Sequence, residues 1–96
     1  MQRLSIREDN ESNYTFIKEE PTWEPLKVIF ENNEEVLQNF MFMGAIRLYN
    51  GNVVHLYKNS LTRRYINIDN DGNTFAYDGI NYDSTPQKVA KDYVLG

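Results

Sequence analysis

Three glycine-containing turn signals in the second half of the chain most constrain its fold. They are Asn50-Gly51, Asp71-Gly72 and Asp78-Gly79, and each separates segments in which apolar and polar residues alternate. Asn-Gly and Asp-Gly pairs between such segments are the strongest local signal for β-hairpins, because tight turns need residues that tolerate positive φ. The spacing therefore predicts a β-meander over residues 42–82.

The first hairpin is predicted to join residues 45–49 and 52–57 through a two-residue type I′ turn at Asn50-Gly51. This register places Leu48 opposite Val53 and Ile46 opposite His55. One face of the pair then carries Phe42, Ile46, Leu48, Val53, His55 and Tyr57. The other face carries the more polar set of Ala45, Arg47, Tyr49, Val54, Leu56 and Lys58.

A second hairpin is predicted between residues 63–68 and 73–77, with a four-residue loop that sets Ile66 opposite Phe75. The turn at Asp78-Gly79 then returns the chain into residues 80–82. Together with N-terminal extended segments, the meander has four to five strands. We predict an α+β fold in which two or three short helices pack on a small, curved, mainly antiparallel sheet.

Helices are predicted on both sides of the meander, in residues 21–41 and 85–95. Asn33, a preferred N-cap, precedes two glutamates that suit the first turn of a helix. Residues 22–31 fit either a helix capped by Thr22 or a strand with alternating apolar residues, and we favour the helix. The C-terminal helix starts at Thr85-Pro86. Its predicted apolar side consists of Val89, Ala90, Tyr93 and Val94.

Length and composition bound the organisation of the chain. Its 96 residues suffice for a single domain, in which residues 1–20 form an acidic, partly extended arm. No apolar run reaches the roughly 18 residues of a membrane-spanning helix, and no secretory signal is visible. The absence of cysteine excludes disulfides, thiolate metal sites and cysteine nucleophiles. We predict a cytoplasmic protein without membrane contact.

Charge is distributed unevenly along the chain. Residues 1–36 carry nine acids and four bases, whereas residues 37–68 carry four bases and no acid. These bases interleave with aromatic residues, a mixture typical of surfaces that contact other macromolecules. The net charge of −4 disfavours nucleic acid as the partner. The predicted partner-binding residues are Arg47, Tyr57, Lys58, Arg63 and Arg64.

His55 is the only histidine and therefore the candidate for acid–base chemistry. It could form a pocket with Arg63 or Arg64, although the predicted register places it among apolar residues. No nucleophile elbow, phosphate-binding loop or dinucleotide-binding motif occurs in the chain. We predict no catalytic residue, no metal and no cofactor.

Asn67, Asp69, Asp71 and Asp78 have the spacing of the oxygen ligands in an EF-hand calcium loop, with Gly72 at the turn. The first and last ligands depart from that pattern, and the preceding residues indicate a strand where an EF-hand needs a helix. Asparagine, aspartate and glycine are also the residues that turns require. A hairpin turn is the favoured interpretation, and weak calcium binding is the alternative.

Three segments, Phe42-Met43-Gly44, Tyr57-Lys58 and Thr62–Asp69, carry a resemblance to known sequences. Over residues 40–82 the chain resembles small uncharacterised bacterial proteins, including some carried on mobile gene cassettes. This resemblance implies a bacterial or phage-like setting. It implies no activity and no role for any residue.

These observations predict a non-enzymatic protein-interaction or accessory domain. We expect it to act as a homodimer and to meet a protein partner through its basic and aromatic surface. The first alternative is a small ligand-binding protein or enzyme with a pocket around His55 and Arg63 or Arg64. The second alternative is a weak binder of single-stranded nucleic acid.

Overall fold

The computed structural model describes residues 12–96; the predicted extended segment before Ser12 lies outside them. The described residues form six strands and three helices. The strands are β1 (Tyr14–Ile17), β2 (Phe40–Leu48), β3 (Val53–Asn59), β4 (Tyr65–Asp69), β5 (Thr74–Tyr77) and β6 (Tyr82–Thr85). The helices are α1 (Glu24–Ile29), α2 (Glu34–Leu37) and α3 (Gln87–Leu95).

All six strands form one antiparallel sheet in sequence order, from β1 at one edge to β6 at the other. The predicted α+β fold with a curved antiparallel sheet is therefore confirmed. The strand number is six rather than four to five. Both edge strands extend the predicted meander, because β1 pairs with β2 and β6 runs on to Thr85 beside β5.

The predicted register of the first hairpin is wrong by one residue. Leu48 N donates to Asn52 O at 2.8 Å, so the loop has three residues and Arg47 lies opposite Val53. Only Gly51 in this loop has a positive φ, of +96°, whereas a type I′ turn needs positive φ at two residues. A three-residue loop that ends in a left-handed glycine replaces the predicted two-residue turn, and His55 consequently pairs with Ala45.

The second hairpin differs from its predicted register for the same reason. Asp69 N donates to Asn73 O at 2.9 Å, and Gly72 has a φ of +88°, which again gives a three-residue loop. Asn67, rather than Ile66, therefore lies opposite Phe75. A one-residue shift in register changes which side chains of two paired strands share a face. Asn67 therefore lies on the inner face, beside Leu56 and Phe75.

A β-bulge in β2 restores part of the predicted pattern. The pairing shifts between Phe42 and Gly44, so that Met43 is an extra residue and Phe42 lies opposite Tyr57. Phe42 and Tyr57 therefore share a face, as predicted, although the residues nearer the hairpin do not follow the predicted pairing. The bulge also exposes the Met43 side chain at the inner side of β2.

The sheet has an apolar core on each face. On the inner, concave face the buried residues are Ile46, Leu48, Val54, Leu56, Phe75 and Tyr82. On the outer face α1 and α3 cover the sheet. The buried residues there are Leu26, Ile29, Phe30, Phe40, Tyr57, Ile66, Ile68, Ala90 and Val94. Each large aliphatic side chain in these clusters stabilises the fold by about 1.5–3 kcal/mol.

The helices agree with the sequence in kind and differ at their ends. Residues 24–29 form the favoured helix, but Trp23 rather than Thr22 occupies the N-cap. The Asn33 side chain caps α2 as predicted, by accepting from Glu35 N at 3.1 Å. Phe40 already belongs to β2, so the helical region ends before residue 41. In α3 only Ala90 and Val94 are buried, whereas Val89 and Tyr93 are exposed.

A candidate binding cleft beside the β4–β5 fork

The two edge strands of the curled sheet meet mainly through the side chain of Asn13. Asn13 precedes β1, and its amide uses both functional groups on β6: Nδ2 donates to Tyr82 O at 2.8 Å, and Oδ1 accepts from Tyr82 N at 3.0 Å. Asn13 N also donates to Asn81 Oδ1 at 2.9 Å. The side chain thus takes the place of a backbone residue in a ladder, and we call this junction the seam.

A cluster of tyrosines packs along the seam. The rings of Tyr14 and Tyr82 lie edge to face with centroids 4.8 Å apart, and Tyr77 stacks on Tyr82 at 4.6 Å. The Tyr14 hydroxyl donates to the Tyr77 hydroxyl at 3.3 Å. This hydrogen bond, together with burial, raises the pKa of Tyr14 to about 12. The Tyr14 phenol therefore stays neutral at physiological pH, and the three rings act as packing groups.

The sheet opens at a second junction, between β4 and β5, which we call the fork. The ladder between these strands contains Ile68 opposite Thr74 and Asn67 opposite Phe75, and it stops there. In this register Ile66 would next lie opposite Ala76, and the next hydrogen-bonded pair would be Tyr65 and Tyr77. In the part of the chain that the structure describes, that pair does not form, although both residues belong to their strands.

The backbone groups of Tyr65 and Tyr77 point into the fork. On the β3 side, Asn59 N donates to Arg64 O at 2.9 Å, so by alternation the groups of Tyr65 face away from β3. On the β6 side, Asp78 N donates to Asn81 O at 3.1 Å, so the groups of Tyr77 face away from β6. Each residue therefore presents an N–H and a C=O to the space between β4 and β5.

A cleft of about 720 Å³ occupies this space and continues onto the inner face of the sheet. Its wall is mostly apolar and aromatic. Several of its rings and chains are open to solvent, most of all Phe16, whose side chain is 71% exposed. The lining residues are Phe16, Met43, Leu56, Arg63, Arg64, Tyr65, Asn67, Phe75, Ala76, Tyr77, Tyr82, Thr85, Val89, Ala90 and Tyr93.

Asn67 lies at the apex of the fork and lacks one hydrogen bond. Its residue is 3% exposed, and Nδ2 donates to Phe75 O at 3.0 Å. Its Oδ1 atom is buried and accepts no hydrogen bond from any described residue. An unpaired buried acceptor costs about 1–3 kcal/mol, so this position favours a ligand that brings a donor.

Two arginines line the same cleft. The Arg64 guanidinium lies 4.8 Å from the centroid of the Tyr93 ring, and Nη1 donates to Tyr93 O at 3.0 Å. Arg63 is exposed and has a positive φ of 67°, an uncommon conformation for a residue with a side chain. Within residues 12–96, neither guanidinium forms an ion pair with a carboxylate. Both residues are exposed, and both line the cleft.

Asn59 anchors the loop that carries these arginines. Its Oδ1 accepts from Leu61 N at 2.8 Å, and its Nδ2 donates to Val94 O at 3.1 Å. The Thr62 hydroxyl donates to the same Val94 carbonyl at 2.8 Å, which ties the loop to the end of α3. Nearby, the Lys58 ammonium lies 5.9 Å from the Tyr65 ring centroid. Three predicted partner-binding cations therefore gather on one side of the molecule.

The other two predicted partner-binding residues lie elsewhere. Tyr57 is fully buried beneath Trp23, and its hydroxyl donates to Thr22 O at 2.6 Å, so it contributes to the outer core and not to a surface. Burial raises its pKa, and Glu19 adds to that shift. Arg47 is exposed on the outer face opposite Val53. Lys58 is five residues further along β3, about 16 Å away at the usual rise per residue.

His55 does not line the cleft that Arg63 and Arg64 line. It is buried on the face that carries Tyr57, where Nε2 lies 2.8 Å from Asn70 Oδ1. Glu19 Oε2 lies 3.0 Å from Nδ1, but out of line for a hydrogen bond. His55 thereby fastens the segment before α1 to β3.

The four residues of the calcium-like pattern have separate structural roles. The buried Asp69 carboxylate accepts from Asp71 N at 2.9 Å and from Asn73 N at 2.8 Å, and from the amides of Asn52 and Asn73. Burial alone would raise the pKa of Asp69, but these hydrogen bonds lower it below its ordinary value. Asn67 lies in the fork, and the Asp78 carboxylate accepts from Asn81 N in the next turn. Among residues 12–96 no group of three acidic or histidine ligands is suited to a metal.

The sequence did not predict that several residues line the cleft, above all Asn67, which it offered only as a calcium ligand. The register error hid it, because it assigned Ile66 rather than Asn67 to the position opposite Phe75. One signal was present: asparagine is rare inside a strand, and an isolated one among Ile66 and Ile68 marks a special position. Val89 and Tyr93 were assigned to the core, whereas they form the wall of the cleft.

No family model, curated protein or solved structure matches this chain. The resemblance to gene-cassette proteins stays a prediction, as does the cytoplasmic location. Of the helices within residues 12–96, none combines the length and the apolar character needed to cross a bilayer.

Proposed function

We propose that this chain is a non-catalytic interaction module that binds an acidic, partly apolar segment of a partner protein in the cleft beside the fork. One observation carries the proposal: Arg63 and Arg64, which no described carboxylate neutralises, line an aromatic cleft whose floor holds an unpaired buried acceptor. Unneutralised arginines and exposed aromatic rings are the groups that dominate the energetics of binding surfaces.

The chemistry of the lining supports binding rather than catalysis. The side chains around the cleft include two guanidinium groups, one amide, the Thr85 hydroxyl and the phenols of four tyrosines, with apolar groups elsewhere and no carboxylate or imidazole among the described residues of the lining. General acid–base or nucleophilic catalysis needs a titratable group held beside a partner that activates it. The arginines instead provide planar donors that suit carboxylates.

Selection from a displayed library of random nonapeptides tests this function. We expect the wild-type protein to enrich peptides that combine acidic and apolar residues. The double variant Arg63→Gln/Arg64→Gln should bind them at least about tenfold more weakly, because charge-assisted hydrogen bonds are lost. Arg47→Gln is the matched control and should keep wild-type affinity. Failure to enrich acidic peptides, or equal loss in the control, would overturn the proposal.

The cleft volume also suits a small molecule, since ligand pockets usually measure about 300–1,000 Å³. A hydrophobic carboxylic acid is the second candidate ligand. A thermal-shift screen with medium-chain and aromatic carboxylates separates the two candidates. A stabilisation that Arg63→Gln/Arg64→Gln abolishes, without peptide enrichment, would replace the peptide by the small acid.

We also propose that the protein forms a homodimer, which the exposed apolar residues beside the cleft favour. Phe16 is the most exposed of these, and Met41 and Met43 are exposed on the neighbouring strand. Light scattering at high micromolar concentration should give twice the monomer mass. A strict monomer would exclude the dimer and leave the binding function untouched. A separate binding titration with single-stranded DNA tests the predicted weak nucleic-acid binding.

A further inference from the structure

We infer that the partner segment binds as an extended strand inserted at the fork, between β4 and β5, with an acidic side chain held by Arg63 and Arg64. This inference rests on the proposed function and specifies the form of the ligand. It follows from three independent features of the fork: its free backbone groups, its unpaired amide oxygen and its charge.

The backbone of the fork is an open ladder. Tyr65 and Tyr77 each direct one N–H and one C=O into the gap, and they are the next hydrogen-bonded pair that the β4–β5 ladder would form. A strand that enters the gap can pair with Tyr65 on one side and Tyr77 on the other. Addition of a strand to exposed sheet edges is a common mode of peptide recognition, in which main-chain hydrogen bonds supply affinity.

The apex of the fork needs a hydrogen-bond donor. Asn67 Oδ1 is buried and unpaired, and Nδ2 of the same amide is fixed by its bond to Phe75 O. Because Nδ2 already donates, the amide cannot turn to satisfy Oδ1 without breaking that bond. A peptide N–H at the end of the inserted segment supplies the missing donor.

The charge at the cleft selects an acidic segment. Arg63 and Arg64 line it, and Lys58 lies over the neighbouring Tyr65 ring. A carboxylate fits the planar guanidinium group with two parallel hydrogen bonds. A nucleic acid would also be attracted, but its phosphate and sugar backbone offers few donors for Asn67 Oδ1 and for the two carbonyl groups. The fork therefore suits an acidic peptide.

Backbone methylation of the selected peptide tests strand insertion. Each amide of the tightest-binding nonapeptide is N-methylated in turn, and its affinity for the full chain is measured by fluorescence anisotropy. We expect a short window of adjacent amides in which methylation weakens binding at least about tenfold, because neighbouring residues of an inserted strand bond to opposite sides. Methylation outside this window should leave the affinity unchanged.

Asn67→Leu provides a second arm, because leucine has a similar size and removes the acceptor. We expect about a tenfold loss of affinity. A thermal melt should show that the variant folds, and Arg47→Gln again serves as the unaffected control. If binding requires the arginines but tolerates every methylation and Asn67→Leu, the proposed function stands and strand insertion is wrong. If no acidic peptide is selected, both are wrong.

Discussion

The seam and the fork are two gaps in the same curled sheet, and they differ in whether hydrogen bonds bridge them. At the seam no backbone ladder joins β1 to β6, yet Asn13 supplies the missing hydrogen bonds from its side chain. At the fork β4 and β5 are neighbours with a ladder already begun, yet it ends at Asn67 and Phe75. The seam is therefore closed although its two strands form no backbone ladder. The fork is open although its two strands are paired up to Asn67 and Phe75.

The exposure of the aromatic rings follows this difference. Tyr82, whose backbone bonds to Asn13, is 8% exposed, whereas Tyr77, whose backbone faces the fork, is 47% exposed. The two rings stack on one another, so this difference in exposure arises between neighbouring side chains. Of these two rings, the one whose backbone is bonded across the seam is buried and stabilises the fold, and the one whose backbone faces the fork remains available for a ligand.

Replacing one tyrosine at the seam and one at the fork with alanine should show the largest difference in the free energy of unfolding. Tyr82→Ala should lower the free energy of unfolding by about 3–4 kcal/mol, because it leaves a cavity between Tyr14 and Tyr77. Tyr65→Ala at the fork should cost less than about 1 kcal/mol, because that side chain is already partly exposed. Urea denaturation measures both changes. Equal losses would show that the fork is as well packed as the seam.

Asp69 gives the next largest effect and a pH dependence. Because its pKa is lowered in the folded state, its contribution to stability is complete above the ordinary value of about 3.9 and is lost as the pH falls through the lowered value. At pH 7, Asp69→Asn should be less stable than wild type by about 2–3 kcal/mol, since hydrogen bonds to a charged acceptor are weakened.

Urea denaturation at a series of pH values measures this difference. It should begin to shrink below about pH 4, where Asp69 of the unfolded chain takes up a proton, and shrink further as the pH falls through the lowered pKa of the folded state. Asp71→Asn is the control, because the Asp71 carboxylate is exposed in the same loop. This variant should change the free energy of unfolding by no more than about 0.5 kcal/mol. A difference that persists unchanged at pH 2 would contradict the role assigned to the charge.

Replacement of Asn13 tests the seam directly. Asn13→Ala removes both side-chain bonds to Tyr82 and should lower the free energy of unfolding by about 1–2 kcal/mol. Ser12→Ala is the neighbouring control: its hydroxyl makes one long bond of 3.5 Å to Tyr14 O, so the change should stay within about 0.5 kcal/mol. Thermal or urea unfolding distinguishes the two variants, and equal values would refute closure by Asn13.

Asn67→Leu should have the smallest effect on stability. Removing the unpaired Oδ1 relieves a cost, while losing the bond from Nδ2 to Phe75 O imposes one, so the free energy of unfolding should change by less than about 1 kcal/mol. Residues that serve binding are often poorly optimised for stability. A loss of several kcal/mol in urea denaturation would instead identify Asn67 as a structural residue.

The sequence predicted much of the fold because turns and hairpins are local. The glycines at positions 51, 72 and 79 marked three of the four reversals between β2 and β6, and all have positive φ, whereas the β3–β4 loop has no glycine. The register was wrong because dipeptide identity does not distinguish a two-residue turn from a three-residue loop with a bulge. That choice depends on the twist of the flanking strands.

The cleft depended on long-range features that no local pattern carries. Asn13 and Tyr82 are 69 positions apart, so their contact at the seam follows only from the curl of the sheet. The end of the ladder at Asn67 likewise depends on how far β4 and β5 diverge. Three of the five predicted contact residues still lie together, because Lys58, Arg63 and Arg64 border one short loop after β3.

Amide hydrogen exchange measured by nuclear magnetic resonance on the unliganded protein tests the open fork most directly. The amides of Tyr65 and Tyr77 should exchange rapidly, while those of Ile66, bonded across to β3, and of Tyr82, bonded to Asn13, should be protected. Protection of Tyr65 and Tyr77 as strong as that of Ile66 would mean that the ladder continues past Asn67, and the account of the cleft would be wrong.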